Sequence, residues 1–236
     1  MQSDLNCAMT LEQVVRGLAN SNLGGRNEWY SWGINEADLP KGVLLPAGSH
    51  YEKNVALKLE LHKVWSDPKS DIAEQVALAK YYVEKWGGIR RNKDETLREY
   101  VTQEPKQIIR NGKKGIASWS KVLCIRDPNT YAVFDARVST SLNCLQIIGN
   151  TKHPSLFPLL PGQNKAITAG GPKIKDHAVR HRWSKARELE FYSDYLNVVR
   201  NVAGSCQLPN TRVYTIEMLL FAKAEALLAR AFPQPN

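Results

Sequence analysis

The chain has 236 residues, 43% hydrophobic and 23% charged, the make-up of an ordinary globular protein able to bury one sizeable core or two intimately packed lobes. No stretch approaches the roughly 20 apolar residues of a membrane span, and Asp4, Glu12 and Arg16 interrupt any secretory pattern. Four scattered cysteines (Cys7, Cys124, Cys144, Cys206) lack zinc-site spacing, so free thiols in a reducing cytoplasm, with no metal, are expected.

The net charge of +9 is unevenly placed. Six basic residues and no acid lie between Pro105 and Arg126, and eight basic residues against Asp176 alone lie between Lys152 and Arg187. The rest of the chain is therefore acidic. A surplus confined to two stretches is what a phosphate-binding face requires; a solvated basic surface is the other reading.

Thr10 to Gln13 is a capping box ahead of a helix with Leu11, Val14, Val15 and Leu18 on one face, ended by Asn20 to Gly25. Trp29-Tyr30-Ser31-Trp32-Gly33 follows as an aromatic loop. Its rings either stack on an extruded nucleic-acid base, as a base pocket of Trp29, Tyr30 and Trp32, or plug the edge of the core. Residues 53–65 alternate like a strand at Leu57, Leu59 and Leu61, yet Leu57, Leu61, Val64 and Trp65 keep helical spacing, and good helix formers decide for helix. Asp71 and Glu74 open a further helix with Ile72, Val76, Ala79, Val83 and Trp86 on one face, closed by Gly87-Gly88.

Residues 94–111 read as a helix pair broken at Pro105, and Asn111-Gly112-Lys113-Lys114-Gly115 as a hairpin-type turn carrying two lysines. A short helix from Gly115, a break at Asp127-Pro128 and an extended apolar run lead to Asp135, which opens a helix with Val138, Leu142 and Leu145. Residues 149–175, rich in Gly, Pro and Lys, read as a long basic loop within an insertion spanning about 149–187. Leu189, Tyr192, Leu196 and Val199 mark an amphipathic helix, and the last helix, about Thr211 to Phe232, is apolar on most sides and central to the core. The expected architecture is mainly α-helical: one unit, residues 1–236, of two closely packed helical lobes.

A glycine turn, a helix and an aliphatic-aromatic-Asp step about twenty residues later resemble the helix-hairpin-helix DNA glycosylases. "WGGI" at 86–89, "SWSKVL" at 118–123, "DP" at 127–128 and "YAVFDARV" at 131–138 look like the 8-oxoguanine-glycosylase-like bacterial branch, over roughly residues 80 to 145. The resemblance implies a helix-hairpin-helix core at about 105–148 and a monomer acting on double-stranded DNA. It also implies a hairpin that grips one phosphate through backbone amides. Lys113, Lys114, Gly115, Ala117, Ser118, Ser120 and Arg137 are then the candidate DNA contacts, with Ala117 where many relatives have a second glycine.

The matching Asp, here Asp135, supports base excision, although the local pattern alone is that of a plain helix cap. Charge develops on the sugar as its bond to the base breaks, and a rigid carboxylate stabilises it. In bifunctional relatives a lysine after the hairpin attacks C1′. Counted from Gly115 that position falls near Trp119, a core residue by its type, while Lys121 lies two residues further on. A monofunctional enzyme leaving an abasic site is therefore expected, with Lys121 as a phosphate or structural contact; a lyase using Lys121 is the alternative. Arg137 could meet a phosphate, orient Asp135 or bridge two helices. His153, His177 and His181 read as DNA-facing or solvated, and no Rossmann or P-loop pattern calls for a nucleotide cofactor. The long insertion suggests an unusual or enlarged base, such as a modified pyrimidine of phage DNA, and hence a role in defence. A DNA-binding module without turnover is one competing class; a basic helical nuclease is the other and ranks last, because it needs an acidic metal-binding cluster and the basic stretches offer only Asp176.

Overall fold

A computed structural model describes residues 8–206 and 208–233; Cys7 lies outside them. The chain is mainly helical. In order, the helices are α1 (Leu11–Asn22), α2 (Arg26–Trp29), α3 (His50–Trp65), α4 (Ile72–Lys80), α5 (Asp94–Thr102), α6 (Pro105–Ile109), α7 (Ile116–Arg126), α8 (Ala136–Ile148), α9 (Lys165–Arg180), α10 (Phe191–Ser205) and α11 (Val213–Ala231). Two-residue strands β1 (Ser155–Leu156) and β2 (Ser184–Lys185) pair in parallel.

Local signals account for many of the boundaries. The Thr10 hydroxyl accepts from the Gln13 amide while the Gln13 side chain accepts from the Thr10 amide, closing the expected capping box on α1. Ser49 and Glu52 do the same for α3, and Asp71 caps α4. On α3, Leu57 and Leu61 are fully buried and Leu59 is exposed, so the ambiguous stretch is a helix as expected.

α8 and α11 form the centre of the core, and their packing is the most extensive in the chain. α11 buries Ile216, Met218, Leu219 and Leu220 completely, and α8 buries Val138 and Leu142. The face of α8 turned from α11 is polar yet buried. Asn143 and Gln146 each both donate to and accept from the backbone of residues 155–157, and Ser139 Oγ donates to the Pro158 carbonyl at 2.6 Å. These side chains do for an extended segment what a neighbouring strand would do. They lay residues 155–158 back along α8 toward its N-terminus.

Two expectations change. Residues 149–187 are not a long loop, because α9 occupies Lys165–Arg180 in spite of Gly170, Gly171 and Pro172. Packing overrides propensity there: Ile167, Gly170, Ile174 and Ala178 form a buried stripe, and a Cβ on Gly170 would come within 2.5 Å of Leu228 Cδ2. The face expected over residues 71–86 is buried at Ala79, Val83 and Trp86 and half-buried at Val76, with Ile72 exposed at the start of α4; a π-helical turn at Tyr81–Trp86 adds Tyr82 to the buried set. The aromatic segment begins inside short helix α2 rather than wholly in a loop.

Candidate active site

α6 and α7 are joined by the tight turn Arg110–Gly115. Gly112 and Gly115 have φ of 56° and 69°, the left-handed region open to glycine, and a Cβ on Gly115 would stand 2.4 Å from Tyr100 Oη. Trp119, wholly buried, donates its indole N–H to the Lys114 carbonyl at 3.1 Å and pins the turn from beneath. Lys113, Lys114 and Gly115 are exposed and Ala117 is half-buried. The Gly115 and Ala117 amides take no partner among the described residues, whereas the Lys113 amide donates to Glu188 Oε1 at 3.0 Å. The end of the basic insertion is thereby docked on the turn.

Ser118 and Ser120 are buried. Ser120 Oγ accepts from the Phe134 amide at 3.0 Å and lies 3.4 Å from the Phe134 carbonyl, fixing the chain one residue ahead of Asp135. Asp135 caps α8: its Oδ1 accepts from the Arg137 and Val138 amides at 2.9 and 3.0 Å, leaving Oδ2 without a protein donor among the described residues. This is the helix start expected from the sequence. It aligns a half-exposed carboxylate with the amide dipoles of α8.

Arg137 bridges two helices, one of the three roles open to it. Its Nη2 donates to Glu225 Oε1 on α11 at 2.8 Å, and its guanidinium lies 5.1 Å above the Phe221 ring. Glu225 Oε1 also accepts from Asn164, the N-cap of α9, at 3.0 Å. The insertion therefore walls the site as well as docking on the turn. A Cβ on Gly162 would stand 3.0 Å from Ala136 Cβ, and Gln163 Nε2 donates to the Gly88 carbonyl at 2.9 Å.

A cleft open to solvent is lined by Tyr30, Ser31, Trp32, Arg137, Phe221, Ala222 and Glu225. Two of the three aromatic candidates thus face it. Trp32 packs edge-on to Phe221 at 5.2 Å and donates its indole N–H to the Trp86 carbonyl, so it also plugs the core edge. Trp29 does not line the cleft; its indole N–H donates to the Asn22 carbonyl, and the Lys223 ammonium lies over its ring. Glu225, Ser31 and Phe221 were not singled out in the sequence, because their common feature is proximity across more than 80 positions.

Lys121 is buried rather than surface-facing. Its Nζ donates to the Ala117 carbonyl one turn back at 2.8 Å, and its stem occupies the space a Gly87 side chain would need. Burial lowers its pKa, and the Asp135 charge opposes that shift. Behind it, Lys58 on α3 pairs with Glu217 on α11 at 3.6 Å, both essentially inaccessible. Neither was flagged in the sequence, although an acid inside the apolar run Tyr214–Phe221 was a legible signal. Of the histidines, His153 and His181 are exposed as expected, while His177 stacks on His181 at 4.1 Å and against Trp183. Burial, then His181, lower the His177 pKa.

Burial raises the Glu217 carboxyl to about 7, with Lys58 opposing and Asp135 reinforcing the shift. The folded chain then keeps a proton that the unfolded chain releases. This contribution to stability is complete below the ordinary carboxylate range and is lost as pH rises toward 7. The melting temperature of the native chain is expected to fall between pH 5 and 7 relative to Glu217→Gln, as calorimetry would show.

Among the described residues no helix is long and apolar enough to cross a membrane, and no group of His, Cys, Asp and Glu is arranged to hold a metal. Comparison with protein families, curated proteins and solved structures finds no match to this chain.

Proposed function

We propose that the chain is a helix-hairpin-helix DNA glycosylase that extrudes a damaged or modified base and hydrolyses its N-glycosidic bond, leaving an abasic site. One juxtaposition carries the reading. A turn with free amides and two exposed lysines starts α7, α7 fixes the chain beside Asp135, and Asp135 caps α8 two residues ahead of Arg137, which lines an aromatic and polar cleft. A helix start with unpartnered amides suits a backbone phosphate. The basic residues of α9, including Lys165, Lys173, Lys175 and Arg180, are all exposed and add to that attraction.

In the proposed reaction the C1′–N bond breaks with its electron pair leaving on the base. Asp135 stabilises the sugar cation and takes a proton from the water that adds to C1′. Trp32 and Phe221 give the extruded base an aromatic wall, and Arg137 and Glu225 offer a donor and an acceptor to its edge. A base carrying an extra group, as in modified phage DNA, suits the added wall that residues 162–164 build, and a defence role follows from that.

The monofunctional reading rests on Lys121. A lowered pKa by itself favours a free amine, but this amine is enclosed and engaged by its own helix. The test is base release, read by mass spectrometry in EDTA, from ordinary, oxidised, alkylated and phage-modified DNA. Free base with strand cleavage only after alkali is expected, with no enzyme–DNA adduct trapped by borohydride. Cleavage before alkali would restore Lys121 as nucleophile. Salt-sensitive binding without release from any DNA would leave a DNA-binding module.

A further inference from the structure

The interior behind Asp135 holds more charge than a helical core requires. Lys58 Nζ and Glu217 Oε2 lie 3.6 Å apart, just beyond good hydrogen-bond reach, and both are buried; Tyr82 Oη is likewise buried, with the Cys124 thiol as a weak partner. The Lys58 ammonium stands 5.1 Å from the centre of the Trp86 ring, which stacks on Tyr82 at 4.2 Å. Lys121 adds a second ammonium and Asp135 a second carboxylate, each coupled electrostatically to Glu217. Lys58, Glu217 and Lys121 therefore share one water-poor region contributed by α3, α11 and α7, and the half-exposed Asp135 carboxylate on the cap of α8 lies near enough to act on it.

The other titratable groups facing Glu217 are Tyr30, Tyr51, Tyr82, Cys124, Tyr192 and Tyr195. Burial pushes all six up, so they stay neutral near pH 7 and only the four charges count. A buried ion pair is a poor source of stability, and one with unsatisfied atoms is poorer still. Its position behind the proposed reacting centre gives it another use.

We infer that Glu217 is a positioning residue for base excision: paired with Lys58, it balances the two interior ammonium charges, so that the field around Asp135 favours a cation on the sugar. The inference rests on the glycosylase reading. With all four groups ionised the cluster is neutral. Without the Glu217 charge, one positive charge is left uncompensated behind the sugar and opposes the developing cation. Removing Lys58 and Glu217 together restores the balance, because Lys121 and Asp135 remain.

Two duplexes test this by binding alone: one carries a pyrrolidine abasic analogue, cationic at its ring nitrogen, and the other a neutral tetrahydrofuran analogue. The wild type is expected to prefer the cationic ring by about tenfold, a differential of the size that one charge supplies. E217Q should lose most of that preference while binding the neutral ring as before, and the double variant K58M/E217M should regain it. In the wild type the preference should also fade from pH 8 to 6 as Glu217 takes up a proton, a readout that needs no variant to fold. A preference unchanged in all three proteins and flat with pH would overturn the role of Glu217 and leave the glycosylase reading standing. A double variant as impaired as E217Q would overturn the charge balance. A wild type that favours neither analogue over undamaged duplex would overturn the Asp135 site, and the inference with it.

Discussion

Asp135→Asn is expected to lower base release by at least about a hundredfold, the scale seen when one preorganised electrostatic group is removed from a reacting centre. Stability should change by less than about 1 kcal/mol, because Asn caps a helix nearly as well as Asp and can keep the bonds to the Arg137 and Val138 amides. Binding to undamaged duplex should be unaltered or slightly tighter, since a negative charge has left the DNA-facing side. Single-turnover release, melting temperature and duplex affinity, measured on one preparation, separate these effects. A variant that releases base at the wild-type rate would reduce Asp135 to the plain helix cap that its local sequence describes.

The second large effect falls on stability. Lys58→Met leaves the Glu217 carboxylate buried without its cation, a loss expected to cost about 3–5 kcal/mol at pH 8. For a chain of this size that is on the order of 10 °C in melting temperature. At pH 6 the cost should be smaller, because Glu217 can neutralise itself by holding a proton. The double replacement K58M/E217M should come within about 1 kcal/mol of the wild type or exceed it, as buried ion pairs exchanged for apolar groups of similar volume often do. Chemical denaturation at the two pH values would decide it. Equal losses for the single and double variants would mean that packing, not charge, sets the cost.

The sequence made legible whatever depends on near neighbours. The Thr10–Gln13 capping box, the break at Pro105, the two-glycine turn and the Asp135 cap are each set within about five residues, and each is found where expected. Trp119 in the core and the central place of α11 followed from residue type and periodicity. What escaped depends on distant partners. α9 forms around two glycines and a proline because α11 leaves room for a backbone and none for a side chain at Gly170, which composition cannot reveal. Nothing in the sequence sets Lys58 apart from Lys53 and Lys63 on the same helix. Only α11, nearly 160 residues later, turns it inward toward Glu217. The polar side of the cleft was illegible for the same reason, since Arg137 and Glu225 meet across 88 positions.

The Ser120 contact with Phe134 carries a consequence for how the proposed enzyme would read a strand. Because that hydroxyl touches both the amide and the carbonyl of Phe134, the turn at one end of α7 and the carboxylate beyond its other end belong to a single stiff piece. The spacing from a phosphate held at the turn to a sugar placed at Asp135 would then be a fixed gauge built into the chain. In such an enzyme the nucleotide brought to Asp135 would be selected by counting along the backbone, whatever the DNA sequence, and the cleft would be left with a separate decision: whether the base delivered to it is one to remove.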